Sequence, residues 1–390
     1  MEKSAIVRKI MTEFAERTCL SGEGCTPVRY LWTDAFAVCN FLALYEQTGE
    51  ENYKESALAL VDQVHHVLGK HRDDDPRSGW ISGLDEEEGE KHPTAGGLRI
   101  GKKQNERKQD APYDERLEWE QDGQYFHYLT KWMHALNRVT EVTGDPRYNF
   151  WARELAKTAY AGFVHTLPGN RGKRMVWKMS IDLSYPLVPS MGQHDALDGY
   201  ITYLELETTA AEDPDLPYTP QLDTEITEML RMCQSIRLET DDPLGIGGLL
   251  SDACKLARLK IAGDTSQPDN MLPDILTASK KGVDAFLHTD LLKYPPEYRL
   301  AFRELGLAIG LRTLETIRAL TGEYASYFSN RTLLESQLAE LMPYQQLAEL
   351  IEDFWLLPEN QTGSTWQEHI DINSVMLATS LLTDTTRQCS

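Results

Sequence analysis

The chain has 390 residues, 41% of them hydrophobic and 26% charged, a balance that supports a sizeable packed core and excludes disorder over the whole length. A formal net charge of -22 repels phosphate backbones and anionic lipid surfaces, so neither nucleic acid nor membrane is expected as the main partner and a neutral or cationic small molecule fits better. No apolar run reaches membrane-spanning length, and "MEKSAIVRKIMTEFAERTCL" is broken by charges where a signal peptide needs an uninterrupted apolar core.

Six cysteines (Cys19, Cys25, Cys39, Cys233, Cys254, Cys389) without a Cys-x-x-Cys pair suit reduced thiols. Together these features predict a cytoplasmic location.

In chain order, apolar residues recur at three- and four-residue spacing almost everywhere, which predicts an all-α chain. Helices are expected near 4–18, 33–48, 51–69, 122–143, 146–166, 195–211, 221–238, 245–262, 273–288, 297–321, 330–351 and 369–383. Three exits share a Thr-Gly-acidic turn, at Gly49, Gly144 and Gly322, where glycine suits a positive φ after the last helical turn. These read as antiparallel hairpins, and pairing the first helix with the last closes six of them into a ring over residues 1–390. "GIGGLL" at Gly245 lacks the lysine of a phosphate-binding loop and reads as a site of close helix packing.

The links are unequal. Those after the inner helices are tight, whereas 71–120 and 167–193 are long, and in an alternating ring such links gather over one mouth. The first is rich in Gly, Pro and charge and reads as partly mobile, either a lid over a ligand or a solvated insertion.

The inner-helix starts carry the polar chemistry: "YLWTDAF" (Trp32, Asp34), "LEWEQDGQYFHY" (Trp119, Glu120, Asp122, Gln124, Tyr125, His127), "SMGQHDALDGY" (His194, Asp195, Asp198) and "TWQEHIDIN" (Trp366, Glu368, His369, Asp371). Trp80 and Trp177 lie in the long links. Tryptophan faces stack on sugar C–H faces, and Asp, Glu, Gln and His bind hydroxyls. Glycosidic cleavage needs one protonated and one ionised carboxyl group. Asp34, Asp122, Asp195 and Glu368 are the catalytic candidates, and the other mouth residues are candidate ligand contacts. Asp34, Asp122 and Asp195 also fit helix caps. Helix position predicts a depressed pKa for Asp122 and Asp195, and a raised one for Glu120 or Glu368 against a tryptophan wall. His127, His134, Trp132 and Trp151 read equally as packing.

An all-α ring of hairpins with this mouth resembles the six-hairpin glycosidase-like superfamily, the (α/α)6 toroids. The resemblance implies a carbohydrate-active enzyme; a glycoside hydrolase is the first reading, because a carboxylate pair is the commonest device for that reaction, and no cofactor is expected. A sugar epimerase using His194 and His369 as a base pair is the second reading, and a non-catalytic scaffold the third. A metal site at His194, Asp195, His369 and Asp371 lacks the usual ligand spacing and is not expected.

Overall fold

The computed structural model describes residues 3–20, 24–167, 169, 172–209, 219–234, 236–263 and 267–382. They fall into two compact units, Ala15–Ile236 and the pair of segments Met1–Phe14 and Arg237–Ser390. After α1 (Lys3–Arg17), the first of these units contains α2 (Leu31–Thr48), α3 (Glu51–Leu68), α4 (Glu86–Lys91), α5 (Glu115–Glu120), β1 (Gln124–Tyr125), α6 (Phe126–Thr143) and α7 (Arg147–Phe163). It continues through β2 (Val164–Thr166), β3 (Lys173–Met175), β4 (Lys178–Met179), β5 (Pro186–Val188), α8 (Asp195–Thr209) and α9 (Asp223–Cys233).

Helices α2, α6 and α8 pack side by side, and α3, α7 and α9 each pack against the helix preceding them in that row. The burial patterns match these positions. Every residue of α2 from Leu31 to Leu44 is buried, as a helix covered on all sides requires, whereas α3 buries Tyr53, Ala57, Leu60, Val61, Val64 and Leu68 along one stripe. Gly49 (φ 70°) and Gly144 (φ 75°) end α2 and α6 in the left-handed conformation, as their Thr-Gly turns predict. Gly322 does not: it lies inside α13 (Leu314–Glu323).

The long links are built, not loose. Link 71–120 contains α4 and α5, and 167–193 supplies the strands β3 to β5, with β4 bridging β1 and β5. Arg77 joins the two links, reaching Asp182 at 2.9 Å and Glu106 at 2.6 Å. Glu106 also accepts from the Ile181 amide, and Arg107 donates to the Leu187 carbonyl at 2.8 Å. These bonds cross-brace the two links. Cys19 and Cys25 are joined as a disulfide, which corrects the expectation of reduced thiols and removes that argument for a cytoplasmic location.

The other unit contains α10 (Pro243–Ile261), α11 (Met271–His288), α12 (Ala301–Arg312), α13, α14 (Arg331–Leu341), α15 (Gln345–Leu356), α16 (Ser364–Gln367) and α17 (Ile370–Leu382). The expected helices 297–321 and 330–351 are each divided. Thr313 turns its hydroxyl back to the Gly310 carbonyl at 2.7 Å, and Pro343 sits in the short 3-10 turn after α14. Among the described residues no helix is long and apolar enough to cross a membrane.

Helix α12 packs on α10, α15 and α17, and its contact with α10 is backbone on backbone. A Cβ added at Gly247 would stand 2.0 Å from the Gly306 carbonyl oxygen, and one at Gly310 would stand 2.4 Å from the Gly247 oxygen. Gly247 therefore provides the close packing expected of this glycine cluster. Gly247→Ala is expected to cost about 1–3 kcal/mol or more in urea denaturation, because neither backbone can yield. Gly248→Ala, with open space around its Cβ, is expected to leave the midpoint unchanged or raise it; equal losses at both positions would refute the packing argument.

Candidate functional site

The antiparallel pairing of Tyr125 with Lys178 brings the link residue Trp177 over the start of α6, where the chain carries "YFHY". Trp177 packs on Tyr125 with ring centroids 4.9 Å apart and lies parallel to His127 at 6.1 Å, with an interplanar angle of 3°. His127 touches Tyr128 at 4.9 Å and Trp32 of α2 at 5.9 Å, and Trp32 meets Tyr128 at 5.2 Å. Tyr30 closes one side, its hydroxyl 2.7 Å from that of Tyr128. Trp119 closes the other, edge-on to Trp177 at 5.2 Å. Exposure rises across the cluster, from Tyr125 at 2% and Trp32 at 7% to Trp119 at 46%, so its outer rings can receive an apolar ligand face.

One carboxyl group borders these rings with an acceptor to spare. Asp195, in the first turn of α8, is 5% exposed, and its Oδ2 has no hydrogen-bond partner. The helix terminus favours the carboxylate by at most about 2 kcal/mol. Burial wins, aided by the neighbouring Asp198, and pushes the carboxyl from 3.8 to about 7, against the opposing pull of the Gly192 amide and Lys131; the change corresponds to roughly 4 kcal/mol. The expected depression at Asp195 is thus corrected.

His127 Nδ1 stands 4.0 Å from Asp195 Oδ1 and also lacks a hydrogen-bond partner. Burial among the rings pushes its imidazole down to about 4, although 26% of the side chain remains exposed. At neutral pH His127 is uncharged, so the two groups are a proton donor and acceptor in waiting and not an ion pair. Below the pair, Asp198 accepts from Thr130 and lies 2.9 Å from the Lys131 ammonium.

No family model matches the chain, and no curated protein matches it. Among solved structures it is similar to the GH76A alpha-1,6-mannanase from Salegentibacter sp. HEL1_6, over 100% of both chains at 12% identity with a TM-score of 0.51. The fold is the (α/α)6 toroid. A cellobiose 2-epimerase from Spirochaeta thermophila DSM 6192 is also similar, over 96% of this chain and 97% of that one, at 11% identity and a TM-score of 0.49. At such identities the likeness describes a fold and assigns no residue of this toroid a role.

Several mouth candidates are occupied by the toroid itself. Asp122 is wholly buried: its Oδ2 takes Arg99 at 2.6 Å and Arg72 at 3.5 Å, and its Oδ1 takes the amides of Gly101 and Gly123 at 3.0 and 3.1 Å. No acceptor is left for a reaction. Gln124 is likewise spent, accepting from the Leu98 amide and donating to the Gly96 and Ile181 carbonyls. Asp34 accepts from the Tyr30 amide at 2.8 Å and lies 3.6 Å from Arg29, a capping role. Trp80 is 2% exposed, under Lys70 and beside His66, and serves as packing beneath its link.

Elsewhere in the toroid, Trp366 is buried and stacked on Trp355 at 5.5 Å. Glu368 and His369 are exposed and Asp371 half-buried, with His369 near the Phe302 ring at 6.2 Å. Neither Glu368 nor Glu120 lies in a desolvated wall, since both are exposed. His194 is half-buried, and His127 places an imidazole nitrogen 4.0 Å from Asp195. Among the described residues no group of three or more His, Cys, Asp or Glu side chains is arranged to hold a metal ion.

Proposed function

We propose that the toroid is a carbohydrate-processing enzyme in which Asp195 transfers the proton. The observation that carries this reading is a carboxyl held near neutrality, with one oxygen unpartnered, beside a graded wall of aromatic rings. In the hydrolytic reading Asp195 protonates the leaving oxygen while a sugar ring lies on Trp177 and Trp119, the arrangement that raised-pKa acids serve in glycosidases. The alpha-1,6-mannanase that shares the fold is compatible with it. Asp198, paired with Lys131, steadies the proton on Asp195.

A second reading, epimerisation or isomerisation of a reducing sugar, is favoured by His127. Its neutral imidazole beside Asp195 can accept a proton from carbon next to a carbonyl while the acid donates one. One assay separates the readings: an oligosaccharide panel incubated in deuterated water, followed for new reducing ends and for deuterium at C2 of the product. New ends without label are expected for hydrolysis, and label without new ends for epimerisation. Trp177→Ala is expected to raise KM in either case by about tenfold or more, from the lost stacking. No turnover of any sugar, or an unchanged KM in the variant, would overturn the placement of the site.

A further inference from the structure

The chain is strongly acidic, yet the segment "RIGKKQNERK", residues 99–108, holds five Lys and Arg side chains and a single acid. Both arginines are neutralised. Arg99 pairs with Asp122 and Arg107 with Glu118, as does the neighbouring Lys178. Lys102 is the exception at the aromatic cluster. It is half-buried, with Nζ 5.3 Å from the centroid of the Tyr30 ring, and among the described residues that ammonium has no hydrogen bond or ion pair.

Its position is fixed by its neighbours. Ile100 pairs through its backbone with Leu31 and Gly123, and the Gly101 amide donates to Asp122. Gly101 (φ +93°) lies so close to the Arg29 carbonyl that a Cβ there would stand 2.2 Å from the oxygen. Arg72 holds the carbonyls of Lys102 and Lys103 at 2.5 and 2.8 Å. Burial lowers the pKa of Lys178, and Lys102 adds to that effect by repulsion. A half-desolvated ammonium without a counter-ion is costly, and the ring of Tyr30 offsets only a part of that cost.

From this we infer that Lys102 is the anchor for an anionic group on the ligand, so the substrate class is an acidic carbohydrate bearing a carboxylate or a phosphate. The inference rests on the carbohydrate reading of the site. Tyr30 and Tyr128 lie between Lys102 and the His127–Asp195 pair, so the anion is held away from the reacting bond and contributes binding and selection, not chemistry.

The test measures binding of D-glucuronate, D-glucose 6-phosphate and D-glucose by tryptophan fluorescence and saturation-transfer NMR, at low and high salt. At least one anionic sugar is expected to bind about tenfold or more tighter than glucose, as a charge-assisted hydrogen bond supplies, with the preference falling as salt rises. Whichever anion wins identifies the group. Lys102→Met should abolish the preference while leaving glucose binding as it was, and Lys102→Arg should restore most of it. Glucose binding as tightly as both anions, or a preference that survives Lys102→Met, overturns the inference and leaves the carbohydrate site standing. Failure of all three sugars to bind overturns both.

Discussion

Asp195→Asn is expected to lower turnover by about 10²–10⁴-fold, the range that a positioned acid or base supplies, and at the same time to make the protein more stable above neutral pH. Burial raises the folded-state pKa of Asp195 from 3.8 to about 7, so the native state holds this proton more tightly than the unfolded chain does. The resulting stability is complete below about pH 3.8 and is lost as pH climbs through 7. At pH 8 the wild type carries a buried carboxylate that the variant lacks. Between pH 5 and pH 8 the wild type should therefore lose roughly 2–3 kcal/mol more than Asp195→Asn in urea denaturation. A variant that keeps full activity, or one with the same pH dependence of stability as the wild type, would remove Asp195 from the reaction.

Asp122→Ala is expected to behave in the opposite way. It strands Arg99, 6% exposed, together with the amides of Gly101 and Gly123, and breaking a buried pair of this kind costs about 3–5 kcal/mol. Activity per folded molecule should survive at low temperature, because Asp122 has no free oxygen to offer a substrate. Thermal melts alongside turnover decide the matter: an intact melt with abolished turnover would make Asp122 catalytic after all.

These two aspartates show what the sequence could reveal. Both stand at or near a helix start in a polar, aromatic-rich stretch, and by position they look alike. What separates them is remote in the chain: Arg72 and Arg99 saturate one, while Trp177 and its strand partner help bury the other's surroundings. Helix periodicity and the Thr-Gly turns at Gly49 and Gly144 were readable because they depend on neighbours within a few residues. The same local logic failed at Gly322, where the helix runs on through the glycine, and at Pro343, where a proline inside an apolar pattern divides it. His127 was visible but ambiguous, since an imidazole on a buried helix reads equally as core until the ring above it and the carboxyl beside it are known. Lys102 carried no motif. Its signal is the absence of a partner, and partners are chosen in three dimensions.

The braces across the long links also determine the order in which the molecule is put together. Arg77 reaches Asp182 across 105 positions, Arg107 reaches Leu187 across 80, and Lys178 reaches Glu118 across 60, whereas the α2–α3 and α6–α7 hairpins close over short glycine turns. Bringing distant segments together costs more chain entropy and comes later than local pairing. A newly made chain is thus expected to acquire its helices before the aromatic cluster has its lining. Binding competence is a late checkpoint of folding, and a half-assembled molecule would look helical while being unable to work.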